Sequence, residues 1–165
     1  MRVIGVDPGL TTTGYAVVER VAGSLRALDV GAVATAAADA RAARLAALHD
    51  GLAAVVTRWR PAAAAIESVF FNANVRTAMA TGQASGVALL CLAHAGVDVA
   101  HYTPTEVKSA VVGVGSASKD QVGAMVAALL RLAAPPRPPD AADACAVAIC
   151  HLNRSRLAAA LRAAR

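Results

Sequence analysis

Residues 2–9, Arg2-Val3-Ile4-Gly5-Val6-Asp7-Pro8-Gly9, decide how the chain is read. Val3, Ile4 and Val6 make a short apolar strand, and Pro8-Gly9 punctuates it directly after an acid. Working outward, Gly14 to Arg20 and Leu25 to Thr35 continue as β-rich segments, with Ala22-Gly23-Ser24 as the hairpin signal between them. Asp39 to Arg60 then shows helical periodicity, with Leu45, Leu48, Leu52, Val55 and Val56 on one face. Ala62 to Glu67 reads as a buried strand, Asn74 to Ala95 as a second long helix, and Val97 to Tyr102 as another strand. This alternation predicts an α/β layer fold in which parallel strands are added to an antiparallel start.

Two further helix starts carry their own signatures. Thr103-Pro104-Thr105-Glu106 combines an N-cap threonine, proline at the first helical position and glutamate at the third. Ser118-Lys119-Asp120-Gln121 is a second capping box, opening a helix to about Leu132. The prolines of Pro135-Pro136-Arg137-Pro138-Pro139 cannot continue that helix. They deliver the chain to a new apolar helix near Asp140. With no repeats or linkers, residues 1–165 are expected to form one domain, with a basic C-terminal end from about residue 153.

Only eleven residues are acidic, so the placing of four of them matters. Asp7 and Glu67 close apolar strands, while Asp140 and Asp143 stand at i and i+3 in the first turn of an apolar helix. Buried acids cost several kcal/mol unless paired or bound to a cation. Gathered together, the four would make an oxygen-only site for a hard divalent ion such as Mg²⁺. Taken singly they have plainer readings. Acids at a helix start suit the macrodipole, and an acid-Pro-Gly turn also serves as a hairpin entry or as the phosphate loop of sugar kinases and chaperone-type ATPases.

The net charge is +5, and all but two of the sixteen basic residues are arginine. Excess positive charge around an acidic centre suits a polyanion bridged through metal. The longest apolar run, Gly86 to Leu92, falls short of the ~18 residues of a membrane span. The strand at the very start leaves no room for a signal peptide. Cys91, Cys145 and Cys150 are odd in number and lack zinc-type spacing, which fits reduced thiols in a cytoplasmic protein.

Several blocks in order resemble the RuvC family of bacterial Holliday-junction resolvases. They are Ile4-Gly5-Val6-Asp7-Pro8-Gly9 with Thr13-Gly14-Tyr15; Ala65-Ile66-Glu67 with Val69-Phe70; Gly82-Gln83-Ala84; and Val107-Lys108 with Val111-Val112-Gly113. Lys119-Asp120-Gln121-Val122 follows, then Asp140-Ala141-Ala142-Asp143-Ala144 with Ala148 and His151. The resemblance implies an RNase H-like fold, a mixed sheet flanked by helices. It implies a homodimer that nicks two strands of like polarity in a four-way DNA junction, alongside the RuvA–RuvB branch-migration machinery.

By that resemblance Asp7, Glu67, Asp140 and Asp143 are the catalytic and metal-binding set. Phosphodiester hydrolysis needs an activated water, a stabilised leaving oxygen and neutralised phosphoryl charge, which two Mg²⁺ ions ~3.5–4 Å apart supply together; Mn²⁺ is the natural substitute. Lys108 and Lys119, the only lysines, are implied to contact DNA phosphate beside them, and Phe70 to stack on or wedge between junction bases. Arg76 is a phosphate contact on grounds of charge. Ser85 stands where the resemblance implies an arginine. Small residues at Gly82 and Gly86 allow close packing of their helix on the sheet or on a second subunit.

Other readings are an RNase H-like nuclease acting on RNA or another branched nucleic acid, an ATP-using phosphotransferase, and a junction-binding module without catalysis. Length counts against the phosphotransferase, and four carboxylates would be superfluous in a passive binder.

Overall fold

The computed structural model describes residues 1–68 and 75–163. Strands β1 (Arg2–Asp7), β2 (Thr12–Val21), β3 (Ser24–Ala34), β4 (Ala63–Glu67) and β5 (Val99–Tyr102) form one sheet in the order β3-β2-β1-β4-β5. The β1-β2-β3 part is antiparallel; β4 and β5 are added parallel to β1. This is the mixed sheet expected, and helices cover both its faces. The hairpin signal is realised by Ala22 and Gly23, both at positive φ (48° and 84°), which matches the twist of the flanking strands.

Helices α1 (Arg41–Trp59) and α2 (Val75–His94) pack on one face, where Ile4, Val6, Val17, Ala64 and Ile66 meet Leu48, Leu52, Ala88 and Leu92. The other face carries α3 (Pro104–Val112), α4 (Lys119–Leu130) and α5 (Pro139–Ala163), with Val3, Ala16, Val18, Ala63 and Ala65 against Ala144, Val147 and Ala148. Burying residues such as Ile149 and Leu152 completely contributes roughly 1.5–3 kcal/mol each.

Both capping boxes form: Glu106 N–H donates to Thr103 Oγ1 and Gln121 N–H to Ser118 Oγ, each at 3.2 Å. Some boundaries differ from the sequence reading. Strand β5 starts at Val99 rather than Val97, because the Val97 N–H donates to Leu92 O and closes the end of α2 through Gly96 at φ 68°. Helix α4 stops at Leu130 rather than Leu132, since Arg131 adopts the left-handed conformation.

Candidate metal-dependent nuclease site

Side-chain alternation along the strands decides where the strand-end acids point. In β1, Val3 and Gly5 face α5 while Ile4 and Val6 face α1 and α2; Asp7 therefore falls on the α5 side. In β4, Ala63 and Ala65 face α5, and Glu67 follows them. The register pairs Val6 with Ile66, so Asp7 and Glu67 stand next to each other, one residue on, at the ends of neighbouring parallel strands.

Glycines bring the other two acids to the same place. A Cβ on Gly14, which pairs with Asp7, would lie 2.0 Å from the backbone oxygen of Asp140. A Cβ on Gly5 would lie 2.1 Å from the oxygen of Ala144. The sheet thus presents bare backbone where α5 crosses it, and the helix settles close enough to carry its first turns to the Asp7 end. The turn after Asp7 is fixed by buried Thr13, whose Oγ1 donates to Gly9 O (2.7 Å) and accepts from Gly9 N–H (3.2 Å).

The electrostatics follow. Burial pushes the Asp7 carboxyl up to about 7, and repulsion from Glu67, then Asp143, then Asp140 pushes the same way. Glu67 is also raised, first by burial and then by Asp143, with Lys119 and Lys108 opposing. Lys119 Nζ lies 2.9 Å from Asp143 Oδ2, and this hydrogen bond holds the ammonium above its usual range. Among the described residues no three His, Cys, Asp or Glu side chains make a ready-formed metal cage. The donor chemistry nevertheless fits a hard cation: oxygen-only ligands, partly desolvated and mutually repelling.

The basic residues flank the acids. Lys108 on α3 and Lys119 line a 210 Å³ cleft with Glu67 and Asp143. Arg76, near the start of α2, lines a different cleft that reaches Asp140. Phe70 lies outside the described residues. His151 takes no place among the acids: its Nδ1 is 2.9 Å from Tyr102 Oη. Gly82 and Gly86 pack on nothing, with no atom within 4 Å of a Cβ built at either, so their helix does not use them against the sheet. All three cysteines are free and buried, and burial pushes the Cys145 thiol up to about 12.

Sequence reasoning missed Arg41 and Arg44, which share the Arg76 cleft. The available signal was two cations in the first turn of a helix, where the macrodipole disfavours them.

A family model described as Crossover junction endodeoxyribonuclease RuvC matches residues 3–151. The chain is 54% identical to the protein of that name from Chloroflexus aggregans over 92% of each chain. It is 53% identical to the one from Streptomyces avermitilis over 100% of this chain and 98% of the other. The solved structure of T. thermophilus RuvC in complex with Holliday junction substrate is 37% identical, covers 96% of each chain and superposes with a TM-score of 0.91.

Proposed function

This chain belongs to the RuvC family of crossover junction endodeoxyribonucleases, and we propose that Asp7, Glu67, Asp140 and Asp143 are the residues with which it cleaves. It is a DNA endonuclease that resolves Holliday junctions, with the RNase H-like fold of that family. The observation that supports the catalytic assignment is the convergence at Asp7. Two parallel strand ends and one helix start aim four acids at one desolvated spot, where Asp7 responds to all three others.

Asp7, central among the acids, and Glu67 at the neighbouring strand end are the residues that would hold the divalent metal. Asp140 and Asp143 close the site from α5. Divalent ions, two Mg²⁺ in this reading, would supply an activated water, charge neutralisation and support for the leaving oxygen. Lys108 and Lys119 sit at the rim, where they neutralise phosphoryl charge and orient the strand. Phe70, by family resemblance, stacks on junction bases, and Arg76 binds backbone phosphate. Residues 1–165 act as one nuclease unit.

A homodimer suits a two-fold symmetric substrate. Its interface in this reading is the outer stripe of α2: Val75, Met79 and Leu90 are 70%, 61% and 51% exposed, with Gly82 and Gly86 between them. Helical spacing puts these on one face, apolar and with room for a second backbone. Paired sites then nick strands of like polarity, in concert with RuvA–RuvB and in the cytoplasm. No helix among the described residues is long and apolar enough to cross a membrane.

The test compares a mobile four-way junction, a linear duplex and an RNA–DNA hybrid, with and without Mg²⁺. Paired, Mg²⁺-dependent nicks in the junction alone support this function. Preferential cutting of the hybrid would favour the broader nuclease reading.

A further inference from the structure

Beside the acidic centre lies a second, larger cleft of about 480 Å³, bordered by Thr11, Thr12, Arg41, Arg44, Arg76 and Asp140. We infer that this groove is a phosphate seat that grips the DNA strand alongside the cleavage site, with Arg41 and Arg44 as its anchoring residues. The inference rests on the nuclease reading for the position of the cut, since Asp140 is where the groove meets the acids.

Two observations carry it. The first is held geometry. Arg44 Nε donates to Thr35 Oγ1 at 2.8 Å and its Nη2 to Thr11 Oγ1 at 3.1 Å, so the guanidinium is tethered at the β1–β2 turn. Arg41 Nη1 donates to Gln83 Oε1 at 2.9 Å, which ties α1 to α2 across the groove. A guanidinium fixed in this way loses little freedom on taking up an anion, and its remaining N–H groups form the fork that suits phosphate oxygens.

The second is charge. Among the described residues Arg41 and Arg44 donate to the neutral oxygens of Gln83, Thr35 and Thr11, and neither belongs to an ion pair there. Both occupy the first turn of α1, which contains no acid. Cations in that turn oppose the helix dipole, so helix stability does not account for them. A polyanion lying in the groove does, and the established substrate is one. The contacts would be to backbone phosphate, reading no base, because the groove offers guanidinium and hydroxyl groups to a strand's outer surface.

The experiment measures binding of fluorescent four-way junctions of two unrelated sequences, in EDTA, across a range of salt concentrations. Wild type is compared with Arg41→Ala, Arg44→Ala and Arg44→Lys, and circular dichroism tracks the fold. Each alanine variant is expected to weaken binding of both sequences alike and to lower the slope of log K against log salt by about 1. Arg44→Lys is expected to recover most of that slope. An unchanged slope in folded Arg41→Ala would overturn the proposal, as would a loss confined to one sequence. Should Arg44→Ala unfold, the exposed Arg41 decides alone. Cleavage does not enter this readout, so failure here and failure of the four-acid assignment are separable.

Discussion

Lys119 and Asp143 meet across the start of two helices, Nζ to Oδ2 at 2.9 Å, and the lysine side chain is 80% exposed. An exposed pair of this kind is worth at most about 1 kcal/mol to folding. Its place beside Asp7 and Glu67, both of which feel its charge, gives it a different weight. Lys119→Ala should leave the melting temperature within a few degrees of wild type while slowing junction cleavage more than it weakens binding. Single-turnover rates set beside binding curves check this. A loss of affinity with no loss of rate would make Lys119 a simple phosphate anchor.

The two bare positions of the sheet predict a mechanical defect. Gly14→Ala sets a Cβ 2.0 Å from the Asp140 backbone oxygen, and neither strand nor helix backbone can swing aside as a side chain would. The cost should be about 3 kcal/mol or more, with α5 displaced and cleavage lost even though all four acids remain. Denaturant melts of this variant and Gly5→Ala measure it. A stable, active Gly14→Ala enzyme would contradict the close seating of α5.

The metal-free protein should carry a pH signature. Asp7 titrates near 3.8 when unfolded and near 7 when folded. Between those values the folded chain holds a proton that the unfolded chain has released. Stability therefore falls as pH rises from about 4 to about 7, by a few kcal/mol at most. Glu67, also raised, adds in the same direction. His151, pushed down by burial, acts oppositely, so the difference between wild type and Asp7→Asn isolates Asp7. In EDTA at pH 8 the variant should melt higher than wild type, and Mg²⁺ should raise wild type more than the variant. Identical melting at every pH would refute the electrostatic account.

The outer stripe of α2 gives a prediction about assembly. Met79→Asp puts a charge in the centre of the apolar stripe at a residue 61% exposed, so the monomer fold should tolerate it. Light scattering should find dimer for wild type and monomer for the variant, with single nicks replacing paired ones. A variant that stays dimeric would place the interface elsewhere.

Much of this was legible in the sequence because the signals were local. The acid closing each apolar strand, the two capping boxes and the Ala22-Gly23 turn each rest on a few neighbouring residues, and each formed where expected. The approach of α5 to Gly5 and Gly14 was not legible. A glycine in a strand announces bare backbone but not which helix will lie on it. Arg41 and Arg44 were missed for a related reason: their meaning lies in Thr11, Thr35 and Gln83, distant in sequence and close only in the fold. Gly82 and Gly86 allow packing on the sheet, the commoner use of such spacing, or on a second subunit, and only the tertiary structure shows them open.

The central claim, that Asp7 anchors a metal-dependent cleavage centre, is tested most directly by one comparison. Wild type and Asp7→Asn are given a mobile four-way junction with Mg²⁺ under single-turnover conditions, and junction binding is measured in parallel without metal. Cleavage by Asp7→Asn is expected to fall by about 10³-fold or more while the junction is still bound. Cleavage at or near the wild-type rate would contradict it.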